Sequence, residues 1–239
     1  MDTISRQRAA LAFVVLSVLS VGGAAALRRH EATPALGAAA EPRAGGEAAR
    51  AREADGPLDA AADARATARL AMSAAQASAD ETYVAEAVSE HAARAENREQ
   101  AFRVDVTRGR LEVASHAAEG ATPGFELTLG LVAAGREGET LDVTPARTAT
   151  EGNQIRVLRE GLLEWFVNGP LGLEQGFELS ERPAGEGPLR FELEVEGLRP
   201  EARGSFIALR DEAGVQQARY SDLYALDAEG DDVPAHMHV

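Results

Sequence analysis

His236 and His238 stand two residues apart near the chain's end, a spacing that puts two imidazoles on one face of a strand, as a metal site needs. No third ligand follows them, so two exposed polar positions on an edge is the simpler reading. Just upstream, Asp227, Glu229, Asp231 and Asp232 crowd around Gly230, an oxygen-rich composition suited to calcium. Their spacing is not that of an EF-hand loop, and acidic turns are ordinary in an acidic chain. These four are the candidates for a calcium site. Nucleophilic catalysis by serine would need a strained elbow, and no G-x-S-x-G occurs; Ser205 after Gly204 reads as turn chemistry at a strand start. Among 39 acids nothing singles out a pair for glycoside hydrolysis. Trp165 with Tyr220 or Tyr224 would make a sugar platform if exposed, yet a lone Trp on an alternating strand reads as core. The expectation is a non-enzyme with no catalytic residue and no cofactor site, calcium being the one ion with candidates.

The elements that would position these residues alternate with a period of two. Phe102, Val104 and Val106 interleave with Arg103, Asp105 and Thr107, and Arg108-Gly109 turns them into Leu111 and Val113 as a hairpin. Phe125 to Leu131 follows, then Ile155 and Val157 after a Glu151-Gly152-Asn153 turn. Leu163, Trp165 and Val167 alternate with Glu164 and Phe166 up to Asn168-Gly169-Pro170, where Gly169 tolerates positive φ and Pro170 lacks a donor. This alternation places Trp165 between sheets. Phe177 and Leu179 come next, and Leu189 to Val195 alternates with Arg190, Glu192, Glu194 and Glu196 as a half-buried antiparallel strand. Phe206 to Leu209, Val215 to Tyr220 and Tyr224 to Leu226 complete a set of short strands that predicts a mainly β chain with an antiparallel β-sandwich or jelly-roll-like domain at 99–239.

Three segments precede that domain. Arg6 and Arg8, the uncharged run Ala9 to Leu27 and the small residues Ala24-Ala25-Ala26 read as an export signal over 1–27. Nineteen uncharged residues also suffice to span a bilayer at 1.5 Å per residue, so the segment is a signal peptide or a signal anchor. Membrane contact is expected only through residues 9–27, if the signal is not cleaved. Residues 28–56, rich in Ala, Gly, Glu, Arg and Pro, form a flexible tether. Residues 57–98 are Ala-rich and helical in propensity: Asp55 caps, Pro57 suits a first turn, and 58–77 holds no Gly or Pro. A second helix is predicted over Asp80 to Glu96, from the capping-box spacing at Ser78 and Glu81 and from Tyr83, Val84, Ala87, Val88 and His91 at three- and four-residue intervals.

Composition narrows the function classes. The chain has no cysteine, which removes disulfides, thiolate metal sites, thiol nucleophiles and acylation as a lipoprotein. Net charge is −15; without residues 1–27 it becomes −16, from 38 acidic and 22 basic side chains. Such a surface repels phosphate backbones and anionic lipid, so no nucleic-acid partner is expected.

Three groups of residues carry a resemblance: Asn97-Arg98 with Gln100, Phe102 and Arg103; Glu164 through Phe177; and Ala208-Leu209-Arg210-Asp211 with Tyr220 through Pro234. Together they resemble the β-rich domain that precedes integrin-like FG-GAP repeats in large secreted bacterial proteins. The resemblance covers roughly the last three fifths of the chain and brings no defined activity; ahead of the Asn97-Arg98 pair it implies an extended stretch, against the helix that propensity predicts there. The expected role is a non-catalytic extracellular or cell-envelope β domain acting as an interaction or spacer module, its protein or cell-surface ligand unknown. In that family an element like Val233-Pro234-Ala235 leads into one further hairpin, and no repeat is present here. Val233 to Val239 is therefore expected to be an edge strand open to homodimer pairing. A calcium-dependent or carbohydrate-binding module is the alternative.

Overall fold

The computed structural model describes residues 13–20, 73–117 and 124–239, the first of these as backbone alone. The expected tether at 28–56 and the beginning of the Ala-rich helix lie outside the described residues; 73–77 is helical, as expected for its end. The strands in chain order are β1 (Phe13–Ser20), β2 (Ala85–Ser89), β3 (Ala92–Asn97), β4 (Phe102–Thr107), β5 (Arg110–Ser115) and β6 (Glu126–Glu137). There follow β7 (Glu139–Thr140), β8 (Arg147–Glu151), β9 (Gln154–Leu158), β10 (Leu162–Gly169) and β11 (Gly172–Leu179). The last five are β12 (Glu186–Glu196), β13 (Arg199–Arg203), β14 (Phe206–Arg210), β15 (Gln216–Leu226) and β16 (Asp232–Val233).

All pairings are antiparallel and fall into two sheets. The first runs β13-β14-β15-β1-β11-β10-β9-β8 with β16 on β15; the second runs β12-β6-β5-β4-β3-β2 with β7 on β6. The core lies between them: Phe102, Val104, Leu111 and Leu127 of the second sheet pack in one cluster with Ile155, Val157, Phe166, Leu173 and Leu209 of the first. Phe177 and Phe191 stack across the sheets at 4.5 Å. The expected mainly β, antiparallel sandwich is the fold found. Its faces follow from period-two alternation, since each strand with one apolar face buries it only when two such sheets meet.

The predicted hairpin at Arg108-Gly109 is present as β4–β5. Both turn residues have positive φ, 50° and 74°, which matches the twist of the strands they join. The helix predicted over Asp80 to Glu96 is not. Asp80 does cap, accepting from Thr82 N at 2.9 Å, but only a 3-10 turn over Glu81–Tyr83 follows before Val84 turns extended. Ala85, Ala93 and Ala95 are buried, and Ala93 and Ala95 pair with Val106 and Val104 of β4. A ladder of inter-strand bonds and a buried face outweigh the propensity of alanine, which is small per residue. After β1, strand structure therefore starts at Ala85, ahead of residue 99. Val215 to Tyr220 and Tyr224 to Leu226, expected as two strands, fall in one, β15 (Gln216–Leu226), with an irregularity at Asp222 (φ 64°) that reverses which side chains face inward.

Four amides bind one end of the sandwich. Asn168, at the end of β10, donates from Nδ2 to Tyr83 O at 3.0 Å and Glu96 O at 2.8 Å, and its Oδ1 accepts from Asn97 Nδ2 at 2.9 Å. Asn97 Nδ2 also reaches Gly169 O, while its Oδ1 accepts from Gln100 N, closing the β3–β4 turn. Asn153 Nδ2 donates to Asn168 O and Gln76 O, and Gln76 Nε2 donates to Gly172 O at 2.7 Å. All four side chains are buried. Replacing Asn168 by Ala takes a donor from two carbonyls and one of two acceptors from the Asn97 amide, and should cost about 3 kcal/mol in urea unfolding. Asn168→Asp keeps the shape yet sets a carboxylate against two carbonyls. It should cost at least as much, and a wild-type midpoint for either variant would mean the knot contributes nothing.

Candidate functional site

Among the described residues, a buried constellation of ionisable groups lies on the inner face of β10 and β11. Leu162, Glu164, Phe166 and Asn168 alternate toward the core, and Leu173, Gln175, Phe177 and Leu179 do the same on the next strand. Glu164 Oε2 meets Arg159 Nη2 at 2.7 Å, both side chains being 1% exposed. Gln175 Nε2 donates to Glu164 Oε1 at 2.7 Å, and Tyr220 of β15 donates its hydroxyl to Gln175 Oε1 at 2.7 Å. Arg159 Nε donates to Val143 O, whereas its Nη1 has no hydrogen-bond partner among the described residues. A charged pair thus continues into two neutral groups beneath the strands.

Burial raises the Glu164 pKa, with Arg159 and Gln175 acting against it. The Tyr220 hydroxyl is pushed well above its ordinary value by burial and by Glu164. Perturbed titrations of this kind often mark active sites, and these groups are buried between the sheets. The chain orders the interior. It links β9–β10, β11 and β15 through side chains.

The sequence reading put Trp165 between the sheets and Glu164 outside, and the structure reverses this. Trp165, Val167, Tyr224 and Leu226 form a separate cluster on the outer face of the first sheet. Trp165 is 9% exposed and lies against Gly176, where an added Cβ would collide with the indole. The ring is buried as expected, on the other face, and offers no open sugar platform. Tyr220 and Tyr224 point to opposite sides because the irregularity at Asp222 lies between them. The missed signal was in β11: Gln175 shares parity with Leu173, Phe177 and Leu179, so its hairpin partner face, carrying Glu164 and Phe166, had to be the inner one.

The acidic cluster at the β15–β16 turn is occupied with its own backbone. Asp227 Oδ1 accepts from Glu229 N at 3.0 Å and Asp231 N at 2.9 Å, and Asp227 N donates to Asp231 O. Among the described residues no three His, Asp or Glu side chains are grouped as a metal site would require. The structure therefore does not gather Asp227, Glu229, Asp231 and Asp232 around a common point. Of the expected edge strand Val233 to Val239 only Val233 pairs, opposite Ala225 of β15, and the chain is not extended into a ladder after Pro234, which has no amide to donate. His236 and His238 follow the strand, their rings edge-on at 4.9 Å. An open groove of about 440 Å³ beside β2 and β3 is lined by Glu81, Glu86 and Glu96 with Arg94 and Arg98. Its lining mixes acids and bases.

No family model matches the chain, and no curated protein or solved structure matches it either. The geometry stands by itself.

Removing one member of a buried pair leaves the other charge unpaired, so Glu164→Ala should destabilise by about 3 to 5 kcal/mol. Arg159→Met with Glu164→Leu should recover most of that loss in equilibrium unfolding. If the double variant is as unstable as the single one, the ion pair is not the source. Glu174, buried on the outer face, has a pKa raised by burial, with the Ser73 hydroxyl opposing. A raised folded-state pKa favours folding in full below the unfolded value near 4.5, and that contribution is lost as pH rises through the folded value. Glu174→Gln should accordingly lift the melting temperature by about 2 °C at pH 8 and leave it unchanged at pH 4. Equal shifts at both values would exclude this linkage.

Proposed function

We propose that the chain is an exported, non-catalytic β-sandwich module of the cell envelope or exterior, acting in protein interaction or as a spacer. The observation that carries this is the use to which its interior polar groups are put. Arg159, Glu164, Gln175 and Tyr220, and the amides of Gln76, Asn97, Asn153 and Asn168, are buried and engaged in joining strands. Among the described residues, the groove beside β2 and β3 is lined by surface acids and bases and by none of these groups. The outer face of the second sheet points the same way: Arg110 bridges Glu194 at 3.1 Å and Glu196 at 2.6 Å across β5, β6 and β12, in solvent. Exposed pairs of that kind add little stability and present a hydrated, acidic wall.

The resemblance to the domain ahead of FG-GAP repeats supports the same reading, and its residues now have a physical role. Asn97, Asn168 and the Gly169-Pro170 turn are the parts of the amide knot. Arg6, Arg8 and the apolar run after them supply the export reading. Calcium or sugar binding is the less favoured role, because Asp227 serves its own turn and Trp165 is covered.

Alkaline phosphatase fused after Val239 becomes active only outside the cytoplasm, so the fusion should be active with residues 1–27 intact and inactive when 9–20 are deleted. An inactive intact fusion would overturn export. Adding millimolar calcium to the purified chain should leave its melting temperature where it is, and a rise would return the binding-module reading to first place.

A further inference from the structure

The first sheet is not continuous in its own domain. Its strands β13-β14-β15 and β11-β10-β9-β8 are two blocks, and β1 alone lies between them, far away in sequence from both. Phe13 to Val18 pairs with Glu178 to Leu173 on one side, and Phe13 to Ser20 pairs with Leu226 to Ala218 on the other. Both pairings are antiparallel, so β11 and β15 run parallel to each other with room for a single strand. The width of that room is set from beneath. Tyr220 of β15 reaches Gln175 of β11 at 2.7 Å, and Gln175 is in turn held by Glu164 and Arg159. Two edges kept one strand apart by a buried hydrogen bond form a slot with a full set of backbone donors and acceptors facing inward.

We propose that the gap between β11 and β15 is a strand-acceptor site, that its ligand class is an extended apolar peptide without proline, and that its occupant is the chain's own Phe13–Ser20. The occupant's sequence, FVVLSVLS, is rich in β-branched and leucine side chains and has no charge, proline or glycine, as a strand flanked on both sides requires. Main-chain hydrogen bonds to two edges supply the affinity, and the apolar character selects the segment. A consequence concerns residues 9–27. A segment cannot pair with both edges and at the same time cross a bilayer as a helix, because each arrangement uses the same amides. Cleavage after Ala26 would free the occupant and leave β11 and β15 as open edges, the condition in which strands capture a substitute. This inference does not rest on the functional reading; its test uses purified full-length chain and no export.

The chain has no cysteine, so introduced pairs report register without background. Ser17 pairs with Glu174, and antiparallel partners have Cα atoms about 4.5 to 5.5 Å apart, within disulfide range. The full-length double variant Ser17→Cys with Glu174→Cys should form an intramolecular disulfide under mild oxidation. Leu16→Cys with Glu174→Cys, one residue out of register and so on opposite faces, should not. Absence of the first disulfide, or equal yields for both pairs, overturns the proposal. A disulfide-linked dimer overturns the assignment to the chain's own segment and makes a second copy the donor. As a second measurement, hydrogen exchange of the wild-type chain should show residues 13–20 protected together with 173–178 and 218–226. A synthetic peptide of residues 11–22 should bind the Leu16→Pro full-length chain and restore protection at those two edges. Failure of the peptide to do so while the second sheet remains protected means that the gap is not an acceptor.

Discussion

The side chain of Asn168 is the contact on which the sandwich turns. It sits at the end of β10 in the first sheet, yet its amide satisfies carbonyls of Tyr83 and Glu96 and pairs with Asn97 at the margin of the second. Buried carbonyls that lose a partner cost more than a made bond gains, so the geometry is enforced by the penalty for every alternative. Fixing that corner fixes the Gly169-Pro170-Leu171 turn, and with it the register of β10 against β11. The register in turn decides that Glu164 and Gln175 face the core. One amide at the rim therefore reaches the centre through hairpin pairing.

The margins of the two sheets are joined by backbone as well. Ala85 N donates to Gly152 O and Thr148 N to Glu90 O, linking β2 with the β8–β9 hairpin, while on the opposite side β12 passes directly into β13. Gly197 makes that crossing with φ at 84°, and an added Cβ there would strike Glu126 O. With its sides tied in this way, the sandwich holds a charged pair and a tyrosine in its interior at little risk of exposing them. A buried ion pair is weak evidence for stability in itself. Here it continues into hydrogen bonds from Gln175 and Tyr220, and we read its role as setting the separation of β11 and β15.

That separation connects the interior to the chain's first described strand. If the gap takes Phe13–Ser20, the apolar run proposed to direct export is also the complement that the sheet needs, and the two uses compete for one set of backbone groups. An interaction module built on such a gap would draw its specificity from strand pairing, with its acidic exterior keeping unrelated surfaces apart.

Much of this was legible in the sequence. Period-two alternation located β4, β5, β9, β10, β11, β12 and β14, and the absence of cysteine with the acidic balance bounded the chemistry, because these depend on local pattern and on counting. The resemblance picked out Asn97 and Asn168 without saying what they do. What the pattern could not contain was the choice between faces. In β10 both faces are apolar enough to be buried, Leu162 and Phe166 on one and Trp165 and Val167 on the other, so alternation by itself left Glu164 free to be read as solvated. Only the opposing sheet, and the partners Arg159 and Gln175 brought from other strands, placed it inside. The same holds for Ala85 to Asn97, where alanine favours a helix locally and the edge of β4 favours a strand. Propensity is worth tenths of a kcal/mol per residue, while an unpaired sheet edge and an uncovered core face are worth more, and both exist only once the rest of the chain has folded.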